Sequence, residues 1–133
     1  MTNILHWGAG VFLALHGLVH LMGAASYLKL ATVEGLPYKT TVLGGRLNLG
    51  ESGAGVFGLL WVLAALGFLL AAAAHLFGWA WWLPWWRPAL IAVTLLSLAL
   101  TVLDAGAAKA GIVVNLVILA LILLPTLNAH RVK

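Results

Sequence analysis

Four long apolar stretches divide the chain, separated by shorter polar segments. They predict helices over residues 4–28, 51–77, 88–105 and 109–127. A helix rises about 1.5 Å per residue, so about 20 apolar residues cross a hydrocarbon layer about 30 Å thick. A membrane barrel would need strands of alternating polarity, whereas these stretches are continuously apolar. The pattern therefore predicts one all-α integral-membrane domain over residues 1–133, an antiparallel polytopic bundle of four helices.

The first stretch carries its polar positions on one side of the predicted helix. His16 and His20 stand four positions apart, and Gly23 and Tyr27 continue the same side. Large apolar residues occupy the opposite side: Val11, Leu15, Leu18 and Met22. Small residues permit close approach of helices, and polar residues prefer protein to lipid. We therefore expect the histidine side to face the other helices.

The other helices place polar residues at a similar depth. The second helix begins with Glu51, and Asn115 follows about a turn and a half into the fourth. The third carries a polar stripe at steps of three or four: Thr94, Ser97, Thr101 and Asp104. In an antiparallel arrangement these residues meet near the long connection at residues 29–50, called the loop side below. This convergence predicts a polar pocket within the membrane.

The connections predict a cap, an anchor and a tight turn. Asn48 and Glu51 have the spacing of a capping box, in which side chains bond free amides at a helix start. The segment FGWAWWLPWWRP holds five of the seven tryptophans, which favour the headgroup level, and it defines the tryptophan side. Asp104 and Lys109 bracket the last turn. We expect Asp104 to be solvated or paired with Lys109 rather than catalytic.

Composition supports a membrane protein and excludes several kinds of site. Hydrophobic residues make up 64% of the chain and charged residues 8%, far from the soluble average. The absence of cysteine excludes disulfides and cysteine-ligated clusters. The formal charge of +4 is scattered, without the basic cluster expected of a nucleic-acid partner. The opening MTNILHWGAG lacks the positive segment of a signal peptide, so the first stretch is interpreted as a retained helix.

The basic residues barely distinguish the two membrane faces. Arg87, Arg131 and Lys133 fall on the tryptophan side, and Lys29, Lys39, Arg46 and Lys109 fall on the loop side. This distribution favours neither orientation. The short basic tail NAHRVK is the reason for expecting cytoplasmic termini in an inner, plasma membrane, with the lipid bilayer as the main partner.

The two histidines of the first helix allow three interpretations. They could bond Ser97, Thr101, Asn115 or backbone carbonyls and simply hold helices together. They could form a site that binds a small molecule or handles protons. They could ligate a metal, since this spacing directs both rings to one ion, although no Glu-x-x-His signature accompanies them. Haem with two histidine ligands is disfavoured because His75 and His130 lie toward the tryptophan side. No cofactor is indicated by the sequence.

Two resemblances add to these patterns. The segments HGLVHLMG, GLLWVLAALGFLL and DAGAAKAGIVVNLVILALIL resemble the small bacterial four-helix membrane proteins known as DoxX-like, over roughly half of the chain. This resemblance implies a four-helix membrane fold, and some DoxX relatives are linked with respiratory or redox partners. GGRLNLGE resembles the Arg and Asn-x-x-Glu element of the membrane glutathione transferases (MAPEG family). In that family Arg precedes Asn by four positions, whereas Arg46 precedes Asn48 by two, and the family's other arginines are missing.

Together these observations predict an accessory membrane protein whose pocket binds a small lipophilic or quinone-like molecule. His16 and His20 would exchange hydrogen bonds with the ligand, and Tyr27 and Asn115 would orient it. Arg46, Glu51 and Asp104 would line the mouth, and the remaining candidates are Asn48, Ser97 and Thr101. One alternative is a small membrane isomerase, hydrolase or transferase that transfers protons through His20 or Glu51. Another is a structural subunit that joins a homo-oligomer or a larger membrane complex through its glycine-rich faces.

Overall fold

Four helices make up most of the chain. The computed structural model describes residues 2–129. In chain order the long helices are α1 (Thr2–Tyr27), α2 (Gly50–Leu76), α3 (Trp86–Leu103) and α4 (Lys109–Ala129). Each observed end lies within two residues of the one predicted from the apolar pattern. His130, Arg131 and Lys133 lie outside the described residues.

Three of these helices are long and apolar enough to cross a membrane: α1 from Asn3, α2 and α3. The fourth provides a shorter apolar stretch, Lys109–Leu124. Neighbours in the chain pack together, α1 on α2, α2 on α3 and α3 on α4, whereas backbone contact between α1 and α4 is sparse. The predicted lipid-facing residues Val11, Leu15, Leu18 and Met22 are indeed exposed on the protein surface.

The long connection contains a small hairpin that the sequence did not predict. The strands β1 (Thr41–Val42) and β2 (Leu47–Asn48) pair antiparallel around a turn at residues 43–46. Gly44 and Gly45 adopt the positive φ that this turn requires, which glycine tolerates without strain. The amide of Leu43 donates to the carbonyl of Leu103 (2.8 Å), so the hairpin is attached to the end of α3.

The capping box expected at the start of α2 forms only in part, because Asn48 accepts from a helix-start amide but Glu51 does not reach back. Leu49 occupies the N-cap position without a side-chain cap bond. Asn48 belongs to β2 instead, and its Oδ1 accepts from the amide of Gly50 (2.9 Å). Glu51 turns outward and forms an exposed ion pair with Lys29 (3.3 Å). The hairpin fixes the backbone entering α2, and this replaces the predicted reciprocal cap.

A hydrogen-bonded network and a cavity at the α1–α4 seam

The polar positions of α1, α3 and α4 meet in one buried network. His16 Nε2 and Ser97 Oγ lie 3.0 Å and 2.9 Å from the same atom of the Asn115 side-chain amide. The other end of this amide lies 3.3 Å from Thr101 Oγ1, and the Thr101 hydroxyl also reaches the backbone carbonyls of Ser97 (2.9 Å) and Leu98 (3.1 Å). All of these side chains are buried, Asn115 completely. The network therefore joins three helices through side chains that would be costly to leave unpaired in a membrane.

His20 extends this network by one helical turn toward the loop side. Its Nδ1 donates to the backbone carbonyl of His16 (2.8 Å), and its Nε2 lies 2.6 Å from Ser97 Oγ. Aromatic rings of α2 enclose it, with Trp61 at 5.3 Å and Phe68 at 5.5 Å between centroids. Both nitrogens of His20 are thus engaged, and the ring is held in one orientation.

A cavity of about 380 Å³ adjoins the network where α1 and α4 stand apart. His16, His20 and Thr101 lie in its wall, together with Trp61 of α2. The remaining wall is formed by apolar and small residues of α1 and α4 and by the loop: Val19, Met22, Gly23, Ala107, Ala108, Ala110, Gly111, Val114 and residues 34–36. Val19 and Met22 are exposed on the outer surface. The cavity is therefore a mostly apolar chamber with imidazoles in its wall, reachable from the side of the helices.

A second polar cluster joins α1, α3 and the loop. Asp104, 2% exposed, accepts from the hydroxyl of Tyr27 (2.8 Å) and forms an ion pair with Lys39. The expectation that Asp104 is solvated or paired with Lys109 is therefore wrong. A lysine 65 residues away in the chain reaches it because the hairpin brings the loop over the end of α3. Tyr27 and Asp104 satisfy each other and are absent from the cavity wall.

The remaining candidates lie away from the cavity. Arg46 is exposed in the hairpin turn, and Glu51 has 80% of its side-chain surface exposed. Asn48 bonds the backbone at the start of α2. None of these three contributes to the cavity wall, which instead includes Glu34 of the loop. The Arg and Asn-x-x-Glu element that resembles the membrane glutathione transferases thus lies at the surface, in the hairpin and the first turn of α2.

Potential metal ligands are scattered over the described part of the chain. Among residues 2–129, no group of three or more His, Asp or Glu side chains is placed to hold a metal ion. His6 and His75 stack with ring centroids 4.3 Å apart, but this pair lies at the opposite end of α1 from His20. Within the described part of the chain, the imidazoles of His16 and His20 are bonded to other protein groups rather than directed together at one point.

Sequence reasoning missed Lys39, Glu34 and Trp61. Trp61 is one of two tryptophans outside the tryptophan turn, and an indole donor deep inside an apolar helix is a signal that could have identified it. Its Nε1 is buried and has no acceptor among the described residues. Lys39 and Glu34 gave no such signal, since nothing local distinguishes them from other charged loop residues.

Comparison with known proteins adds no relative: no protein-family model, curated protein or solved structure matches this chain.

Proposed function

We propose that this protein is a bacterial inner-membrane protein of the DoxX-like kind, whose loop-side cavity binds a small lipophilic or quinone-like molecule. It forms an antiparallel four-helix bundle with cytoplasmic termini, and its role is accessory rather than catalytic. One observation carries the proposal: a cavity of about 380 Å³ has two buried imidazoles in a mainly apolar wall. Sites for small molecules commonly combine this volume range with few fixed polar groups.

The hydrogen bonding of the polar residues supports an accessory role. Both ring nitrogens of His20 form hydrogen bonds within the protein. Its partner Ser97 is fully buried and is not part of the cavity wall. Glu51, the other candidate for proton transfer, is on the exposed surface and paired with Lys29. A site with fixed hydrogen bonds and an apolar wall is suited to holding a molecule in one orientation, whereas it presents no accessible nucleophile.

The place of the cavity supports a lipophilic ligand. The helices contact one another in chain order, and the seam between α1 and α4 is the one that the cavity occupies. The exposed rim residues Val19, Met22 and Ala110 are apolar. If α1 crosses the bilayer, this rim faces hydrocarbon, so a molecule dissolved in the membrane reaches the imidazoles without crossing water.

Native mass spectrometry of the protein purified in mild detergent tests the proposal. We expect a bound small molecule in the wild-type spectrum and its loss in Ala110→Phe, which fills the rim of the cavity. Ala120→Phe is the matched control, because Ala120 is an exposed residue of the same helix outside the cavity wall. If Ala110→Phe retains the same molecule at the same occupancy, the cavity is not the site. The same spectra report whether the protein is a homo-oligomer or travels with partners.

A further inference from the structure

The hydrogen atoms of the network can be counted from its donors and acceptors. His20 Nδ1 lies 2.8 Å from a backbone carbonyl, which only accepts, so this nitrogen carries a hydrogen. In a neutral ring Nε2 is then an acceptor. Ser97 is its partner at 2.6 Å, so the single hydroxyl hydrogen of Ser97 is directed at His20.

This assignment determines which way the side-chain amide of Asn115 is oriented. Ser97 has no second hydrogen for its 2.9 Å contact with Asn115, so the amide must donate to Ser97. Rotating the side-chain amide of Asn115 by half a turn exchanges its oxygen and nitrogen atoms and leaves every contact distance unchanged. The nitrogen then donates to both Ser97 and His16 Nε2. The hydroxyl of Thr101 donates to the backbone carbonyl of Ser97 (2.9 Å) or Leu98 (3.1 Å), so only its longer contact with the Asn115 oxygen (3.3 Å) is left without a hydrogen bond.

The opposite orientation of Asn115 requires a charged His20. If Ser97 donates to the amide oxygen, His20 Nε2 must also carry a hydrogen, which makes the ring a cation. His20 is 1% exposed, and among residues 2–129 the two salt bridges, Lys29–Glu51 and Lys39–Asp104, involve no histidine. An unpaired charge in this apolar interior is strongly disfavoured. The neutral network is therefore the favoured one.

The neutral network leaves an unused donor on His16. Since His16 Nε2 accepts from Asn115, the ring hydrogen of His16 resides on Nδ1, which has no partner among the described residues. His16 lies in the cavity wall. Trp61 lies in the same wall, but its Nε1 is itself buried, and it has no acceptor in the described chain. The only carboxylate in this wall is Glu34, in the exposed loop.

We propose that the cavity selects neutral lipophilic molecules that carry an acceptor oxygen, such as ketones, and that this oxygen binds the Nδ1–H of His16. This inference rests on the proposed function and specifies its ligand class. Entry is sideways, between α1 and α4, past Val19 and Met22. In the neutral network neither imidazole offers a free acceptor, so an alcohol or amine placed against His16 is bound less well than a ketone of the same shape.

Two probes of nearly equal shape test this selection. The ketone α-tetralone carries one acceptor oxygen, and tetralin is the matching hydrocarbon. Their binding is measured by titration calorimetry in detergent with wild-type protein and two variants. The amide of His16→Gln occupies the position of ring Nε2 and keeps the contact with Asn115, but it supplies no donor at the position of Nδ1. The amide of His16→Asn occupies the position of ring Nδ1 and supplies a donor there, but it loses the contact with Asn115.

The ketone is expected to discriminate between these variants. In His16→Gln the affinity for α-tetralone should fall about fivefold, the effect of one lost hydrogen bond, while tetralin is unaffected. His16→Asn should retain most ketone affinity despite a lower thermal stability. Using the variant-to-wild-type ratio for each probe removes differences in their partitioning into micelles. Nitrogen NMR of histidine-labelled protein should show hydrogen on Nδ1 of His16.

The outcomes separate this inference from the function on which it rests. If neither probe binds the wild-type protein, both the cavity site and its selectivity fail. If both probes bind and His16→Gln weakens neither, the cavity binds lipophilic molecules but does not select acceptors, and the inference alone is overturned. A hydrogen on Nε2 of His16, or a doubly protonated His20, also overturns it.

Discussion

The two ends of the helical region are held together in different ways. Toward the tryptophan side, buried side chains form an almost entirely apolar cluster: Leu13, Phe68, Ala71, Ala72, Ala74, Trp82, Leu90, Ile118 and Ile122. Toward the loop side, a second apolar cluster around Phe57 and Trp61 is joined by buried polar groups that bond across helices, in the network around Asn115 and in the cluster around Asp104. The cavity has His16, His20 and Thr101 of this second region in its wall.

This difference indicates how a cavity can persist in a small membrane protein. Lipid is as apolar as a leucine side chain, so apolar contact alone holds helices together only by close packing, which leaves no space. Directed hydrogen bonds fix helices at defined distances without filling every gap between them. The loop-side region can therefore remain open at the α1–α4 seam, whereas the tryptophan-side region must be closely packed.

The largest effect is expected from Asp104→Ala, which breaks the loop-side cluster. The substitution leaves Lys39 and the hydroxyl of Tyr27 without their buried acceptor. Removing one partner of a buried ion pair costs about 3 kcal/mol. The measurement is the free energy of unfolding in mixed detergent micelles. Asp104→Asn, which keeps the shape and one acceptor oxygen, should cost less, and equal losses for both variants would argue that the charge pair contributes nothing.

A smaller effect should distinguish two glycines of α1. A Cβ at Gly23 would stand 2.5 Å from the rigid ring of Trp61, whereas one at Gly10 would stand closer still to Cδ2 and Cγ of the more flexible Leu76. Gly23→Ala should therefore destabilise the protein by about 2 kcal/mol, the typical cost of overpacking. Gly10→Ala should cost less, because Leu76 can change rotamer where the Trp61 ring cannot and alanine favours helix. Equal losses at both positions would show that the rigidity of the neighbouring side chain does not set the cost.

A similar contrast is expected between two buried residues of α3. Ser97 bonds His20 and Asn115, while the hydroxyl of Thr94 has no partner among the described residues. Ser97→Ala should cost about 1 kcal/mol, since it leaves neighbouring polar atoms unpaired. Thr94→Val keeps the side-chain shape and should leave the unfolding free energy unchanged or raise it. A loss for Thr94→Val as large as that for Ser97→Ala would contradict the division into two regions.

The helices and the inward-facing polar residues could be predicted because they depend on local patterns. Apolar length gave the helix bounds, and helical periodicity placed His16, His20, Ser97 and Thr101 on buried faces. The depth argument also brought Asn115 toward them, since helix length fixes depth in an antiparallel pair.

The partners of the charged residues could not be predicted in this way. Lys39 meets Asp104 only because a hairpin folds the loop onto α3, and a two-residue strand has too short a pattern to detect. For the same reason the spacing of Asn48 and Glu51 predicts a reciprocal cap of which only the Asn48 contact forms. The orphan donor of Trp61 depends on which groups surround it, which periodicity does not specify.

The smallest effect is expected at Lys29, the second lysine of the loop that pairs with a carboxylate. The hydrogen bond to Glu51 raises the pKa of Lys29, but both side chains are largely exposed. A raised lysine pKa stabilises the fold below the lysine's ordinary pKa, and this contribution disappears as the pH rises through the folded-state value. Solvent screens such a pair, so Lys29→Gln should leave the thermal midpoint at pH 7 unchanged within error.

Lys39→Gln, made in the same loop, should lower that midpoint clearly, because it leaves the carboxylate of Asp104 buried and without its cation. If the two lysine variants behaved alike, exposure would not be what separates the surface pair from the buried one.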